Sequence, residues 1–179
     1  MITDFKIQEL ENQLVRLVPL IGIDFEKIYK VASDPSIWEQ HPASDRYQKE
    51  KFESYFNNAP CKQWAYVALD RQTGEVIGST RYYDYKPAEK SLAIGYTFLA
   101  REYWGGAYNQ SIKTALLDYA FQAVDRVYFH IAPANIRSQK ATNKIGAQKV
   151  GDYHLEFNGQ KLLHFEYAIE KEDWGLRSE

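Results

Sequence analysis

Two rhythms of hydrophobic and polar positions run along this chain. Ile112, Ala115, Leu116, Tyr119, Ala120 and Ala123 recur at the i, i+3, i+4 spacing of one buried helical face, which predicts a helix over Asn109–Val124. Phe25, Ile28, Tyr29 and Ala32 repeat that spacing over Ile23–Ala32, and Ser33-Asp34-Pro35 then stops the helix. A polar, weaker helix is predicted over Gln48–Phe56, and another over Asn135–Ile145 with Gly146 just past its end. Between these lie short runs rich in strand formers: Leu14–Leu20, Trp64–Leu69, Glu75–Tyr85, Ser91–Leu99 and Arg126–Ala132. The turn Arg71–Gly74 joins two of them as an antiparallel hairpin, and Asn158-Gly159 marks a second hairpin near the end. The stretch Ile37–Arg46 has no period and reads as a loop. The order β-α-α-β-β-β-α-β-α-β-β describes one mixed sheet with helices packed on it.

Composition narrows the partners. Of 179 residues, 45% are hydrophobic and 15% aromatic, enough for a real core. The 22 basic and 24 acidic residues nearly cancel, so no basic footprint points to nucleic acid. No apolar run approaches the ~20 residues of a membrane span. Cys61 is the only cysteine, which excludes an internal disulfide and a Cys-based zinc site. A cytoplasmic home is expected, with no metal and with room for an oligomer. The chain reads as a single domain over 1–179, with loose ends at 1–11 and 176–179.

The stretch Leu99–Gln110, LAREYWGGAYNQ, carries the chemistry. A strand ends, a loop of small residues follows, and the long helix begins. Small residues let backbone N–H groups face outward, and a helix start adds unpaired N–H groups and partial positive charge. Such an arrangement suits a pyrophosphate, though a plain tight turn has the same spacing. No Gly-Lys-Ser/Thr follows, and the dinucleotide fingerprint G-x-G-x-x-G is absent.

The run Ile94-Gly95-Tyr96 … Trp104-Gly105-Gly106-Ala107-Tyr108-Asn109 resembles the acetyl-CoA loop of the general-control-related N-acetyltransferase (GNAT) superfamily. Asn135-Ile-Arg-Ser138 … Lys144-Ile145-Gly146 resembles its second signature, and Glu172-Asp173-Trp174 resembles the tail of the RimJ/RimL-like branch. The likeness covers roughly residues 12–175. It implies an α+β fold with a central, mostly antiparallel seven-stranded sheet flanked by about four helices. It implies acetyl transfer from acetyl-CoA to a primary amine, either a protein N-terminus or a small amine. A non-catalytic acyl-CoA-binding regulatory module is the alternative.

Carried over residue by residue, the resemblance assigns CoA to Thr97, Phe98, Leu99, Trp104, Gly105, Gly106, Ala107, Tyr108, Asn109, Asn135, Arg137, Ser138 and Lys140. It makes Ser138, with Asn135, the donor to the departing thiolate; packing and a helix cap are the other roles open to them. Arg137 and Lys140 face either the 3′-phosphate or solvent. The Glu that many members place two residues before the loop-side Gly is Ala93 here, and the Tyr of some members is Thr142. His130 and His41 are therefore the candidate bases, each equally readable as a core or loop histidine. Trp38, His41, Tyr82, Tyr83 and Asp84 are candidates for the acceptor groove; an aromatic sheet face reads the same way. A two-residue turn at Asn158-Gly159 sets Tyr153 opposite His164 and His154 opposite Leu163, so the two histidines face opposite sides and cannot share a metal.

Overall fold

The structure, a computed structural model, describes residues 5–21, 23, 25–58, 62–157 and 159–176. Cys61, Pro60 and Asn158 lie outside the described residues, as do 1–4 and 177–179.

Eight strands form one sheet among the described residues: β1 (Leu10–Glu11), β2 (Val15–Pro19), β3 (Ala65–Asp70), β4 (Val76–Lys86), β5 (Ser91–Leu99), β6 (Arg126–Ile131), β7 (Gln148–Phe157) and β8 (Gln160–Glu170). Their order is β1-β2-β3-β4-β5-β6-β8-β7, antiparallel except for β5 beside β6. The α-helices are α1 (Phe25–Ala32), α2 (Lys49–Asn58), α3 (Tyr108–Ala120), α4 (Ile136–Lys144) and α5 (Lys171–Gly175). The α+β class stands, with one strand and one helix more than the sequence pattern implies. Both additions are too short for a pattern: β1 has two residues and α5 has five. No described helix is long and apolar enough to cross a membrane.

The sheet is covered on both faces. One core joins Leu92, Ile94, Val127 and Phe129 to Ile112, Leu116, Leu117 and Ala120 of α3. The other joins Val67, Ala65 and Phe98 to Ile28 and Ala32 of α1 and Phe52 of α2. Each fully buried Leu here stabilises by about 2 kcal/mol relative to exposure. Residues 5–11, read from the sequence as a loose end, are packed instead. Phe5 is 5% exposed against Tyr82, and the Gln8 carbonyl accepts from Tyr66. A lone aromatic in a polar segment leaves no periodic trace, so this packing could not be read in advance.

Local chemistry fixes the connections. Asp34 accepts from the Ser36 N–H and starts a short turn at Pro35, so α1 stops where expected. Asp70 accepts from the Gln72 and Thr73 N–H groups, and Gly74 takes φ +73°, which closes the β3–β4 hairpin. The β7–β8 register sets Tyr153 opposite His164 and His154 opposite Leu163, as the two-residue turn demands. α3 ends at Ala120, four residues before the sequence pattern does, and Phe121 to Ala123 continue in turns.

Candidate active site

The two parallel strands part company. β5 and β6 pair only through Ser91–Arg126, Leu92–Val127 and Ala93–Tyr128. Beyond Ala93 a cleft of about 850 Å³ opens between them, lined by Ile94–Leu99 on one side and Phe129–Ala132 on the other. The cause lies in β5 itself. Tyr96 sits at φ +54°, and the β4–β5 register slips between Ser79 and Arg81. A bulge there turns the free edge of β5 away from β6.

The loop after β5 and the start of α3 form one end of the cleft. Gly105 takes φ +73°, and an added Cβ at Gly105 or Gly106 meets nothing within 4 Å. Ala107 caps α3 without any side-chain hydrogen bond, so the helix presents bare N–H groups. Asn109 Oδ1 is buried and has no partner among the described residues. An open cradle and an uncapped 13-residue helix fit the pyrophosphate arm of CoA; Asn109 Oδ1, an acceptor, needs a donor from elsewhere. Gly105, Gly106, Ala107, Asn109, Thr97, Phe98, Leu99 and Trp104 all line this cleft. Tyr108 does not: its hydroxyl donates to Asp70 Oδ2 at 2.6 Å and its ring packs on Tyr103, so only its backbone belongs to the helix start.

α4 supplies the opposite wall. Asn135 Oδ1 accepts from the Ser138 N–H at 3.1 Å, a plain helix cap. Ser138 and Lys140 line the cleft. Arg137 lines it too, but as a clasp. Its guanidinium lies 3.8 Å over the Trp104 ring and donates to the Ile37 carbonyl at 2.9 Å, while its N–H donates to Gln40. Arg137 thus joins α4, the CoA loop and the segment after α1 while still lining the cleft. Lys113, which sequence periodicity placed simply on α3, is buried on the cleft wall. It donates to Thr142 Oγ1 at 2.9 Å and lies over Phe129.

Burial pushes the Lys113 pKa down to about 8. The unfolded chain then binds the extra proton between about 8 and 10.5, so the folded state gains stability as pH rises through that window and is weakest below it. Lys113→Met should therefore raise stability at pH 7 by on the order of 3 kcal/mol, less the cost of an unpaired Thr142. The gain should vanish above pH 10.5, measured by denaturant melts of both proteins across pH.

The inner end of the cleft carries the titratable groups. His130 on β6 is held twice. Its Nε2 lies 3.0 Å from Glu166 Oε2 on β8, and its Nδ1 lies 2.7 Å from the Tyr83 hydroxyl on β4. A carboxylate can only accept, so Nε2 carries the proton and Nδ1 accepts from Tyr83. The Tyr153 ring stacks on the imidazole with centroids 3.8 Å apart. Burial lowers the His130 pKa, and Glu166 pulls against that shift. Burial also raises the Tyr83 pKa well above that of an ordinary phenol, so Tyr83 keeps its proton. Asp84 sits beside this group and is ion-paired with Lys86. Ala93 is fully buried, so no carboxylate stands there.

His41 lines the cleft but is a poor base. Its Nδ1 already accepts from the Ala43 N–H, and burial, with Arg46 and His164 nearby, pushes its pKa down to about 3. Two groove candidates are corrected. Tyr82 is fully buried with its hydroxyl on the Leu116 carbonyl, because it faces α3 while Tyr83 faces the other side. Trp38 is core as well, donating to the Ala32 carbonyl. The sequence reading passed over Arg46, Lys113, Tyr153 and Glu166. For Glu166 the only sequence signal was a charge amid the apolar residues of β8.

The comparisons agree with this geometry. The family described as acetyltransferase (GNAT) domain matches residues 15–148, most of the chain. A GCN5-related N-acetyltransferase from Brucella melitensis superposes with a TM-score of 0.78 at 17% identity, over 94% of this chain and 80% of that one. A GNAT-family acetyltransferase from Bacillus anthracis gives 0.75 at 18%, over 92% and 99%. RimJ of Mycobacterium smegmatis, solved in complex with CoA-disulfide, gives 0.68 at 20%, over 93% and 87%. With the family match over the splayed strands and the small-residue loop, the chain belongs to the GNAT acetyltransferases and is an acetyl-CoA-dependent enzyme.

Proposed function

We propose that this enzyme moves the acetyl group of acetyl-CoA to a primary amine, a peptide N-terminus or a small amine, by direct attack on the thioester. One observation carries the reading. The parting of β5 from β6 leads from the uncapped start of α3 to His130, which is backed by Tyr83 and Glu166, in a single cleft. CoA supplies the activated acetyl group, and everything else falls to the chain. Gly105, Gly106, Ala107 and Asn109 hold the pyrophosphate, and Thr97, Phe98 and Leu99 offer the free β5 edge to the pantetheine and the carbonyl oxygen. Ser138 stands on the facing wall as proton donor to the thiolate.

The amine must lose a proton as it attacks. Both His130 nitrogens are engaged, so His130 acts through Tyr83. The Tyr83 oxygen takes the amine proton as its own proton passes to Nδ1, and Glu166 holds the imidazolium that results. The catalytic setting is cytoplasmic in this reading.

A CoA-release assay on an amine panel tests it. Peptide N-termini should outrun lysine-like amines at pH 7, because an α-amine is neutral to roughly a tenth and a lysine to about one part in ~10³. Gly106→Glu, which aims a carboxylate at the pyrophosphate cradle, should abolish both CoA binding and release. CoA binding by the wild type with no release on any amine would instead favour the acyl-CoA-binding regulatory module.

A further inference from the structure

A second polar group sits in the cleft and takes no part in the acetyl chemistry. Arg46, at the end of the loop after α1, lines the cleft and is 9% exposed. Its guanidinium lies 4.1 Å from the centroid of the Tyr55 ring and 5.2 Å from that of Trp38. Among the described residues no carboxylate stands within ion-pair distance of it. The nearby acid is its own neighbour Asp45, whose side chain is half exposed and turned to Lys51. Arg81, 2% exposed, reaches the same rings, 4.7 Å from the centroid of Tyr96 and 5.5 Å from that of Tyr55. Arg46 is thus the cation that faces this part of the cleft; Arg81 does not line it but is near enough to oppose the charge of Arg46. The histidine beside them, His41, is neutral.

A buried charge without a counter-charge is costly, and a guanidinium in a cleft is a ready fork for a carboxylate. Among the described residues no Asp or Glu lines the cleft, so Arg46 finds no acidic partner inside it. From Tyr55 the rings step to Tyr96, with centroids 6.3 Å apart, and from Tyr96 to Tyr83, 5.3 Å apart. Beyond Tyr83 lie His130 with Glu166, and Asp84. A molecule in the cleft can meet both Arg46 and His130, the latter held from behind by Tyr83 and Glu166. An amine is wanted at the His130 group, where its proton can be taken, and an anion at Arg46.

We propose that the acceptor is a primary amine that also carries a carboxylate, with the carboxylate bound by Arg46 and the amine delivered to Tyr83. This rests on the amine-acetylating reading above and names the substrate class of that same site. A polyamine or another polycation is excluded by the same charge, since its second ammonium would have to sit against Arg46.

Two acceptor series test this with the full-length enzyme. The first is ω-amino carboxylates of increasing chain length, each beside its amide. The second is short peptides with Glu or Gln at the second position, each with an amidated C-terminus. The carboxylate member of a pair should show kcat/KM about 10- to 100-fold above its amide, the worth of one charged hydrogen-bonded pair. A preference in the first series alone assigns a small molecule; one in the second assigns an acidic peptide N-terminus. Arg46→Met, which keeps the apolar stem against Tyr55, should erase the preference by raising KM for the carboxylate. Its kcat/KM on the amide and its KM for acetyl-CoA should stay within about threefold. Arg46→Lys should restore only part of the preference.

Amines acetylated with equal rates for acid and amide, or a faster rate on a polyamine, would overturn the inference and leave the transferase reading standing. A preference that survives intact in Arg46→Met would overturn it as well. No acetylation of any amine would instead sink the transferase reading on which it rests.

Discussion

In His130→Phe, kcat should fall by about 10²-fold or more while KM for acetyl-CoA stays within about twofold. General-base help is typically worth ~10²–10⁴-fold, and phenylalanine keeps the stack on Tyr153 while removing the acceptor for the Tyr83 proton. The pH profile gives the sharper test. His130 must be neutral to receive a proton, so kcat/KM should fall on the acid side of a pKa lying below the usual ~6.5. Glu166 raises that pKa, so Glu166→Gln should move the acid limb to lower pH as well as cutting kcat. Profiles measured with an amine of known, low pKa separate this limb from the acceptor's own ionisation. An unmoved limb in Glu166→Gln, or a full rate in His130→Phe, would return the proton to bulk water.

Gly78→Ala is expected to be the most damaging single methyl in the chain. A Cβ there would clash with the carbonyl oxygen of Phe98 and lie 3.1 Å from its carbonyl carbon. Both are backbone atoms of β5 at the point where β4 pairs Ser79 with Phe98, so no side chain can turn aside. Overpacking of this kind costs about 3 kcal/mol, and more where the backbone must move. Denaturant midpoints of wild type and variant measure it. Gly95→Ala differs: its Cβ meets the flexible edge of the Tyr83 ring at 2.9 Å, a contact that displaces a proton carrier without breaking the sheet.

Most of the fold was open to reading because it rests on period and punctuation. α1 and α3 show their buried faces in sequence, and Asp34, Pro35, Gly74 and Gly146 stop elements where they act in the structure. The cofactor end was legible for a related reason. A small-residue loop before a helix is local, and its function follows from neighbours in the chain. The acceptor end was not. His130, Tyr83, Glu166 and Tyr153 come from four strands, and only the strand order β4-β5-β6-β8-β7 brings them together. His130 could be singled out as a polar residue in an apolar strand, yet its partners follow from register and pleat, which periodicity does not state. Arg137 hid its clasp, because an Arg at a helix start reads as solvated. Its flat fork instead found a ring and a carbonyl across the cleft.

The three residue pairs that join β5 to β6 also make the sheet two leaves on a short spine. Five strands lie in one leaf and three in the other. Where the backbone seam stops, the leaves are held in step by α3, whose inner face packs on both Ile94 and Phe129, and by the Tyr83–His130 hydrogen bond. The angle between them therefore depends on side-chain volume on that helix, and the shape of the cleft is inherited in part from the core beneath it.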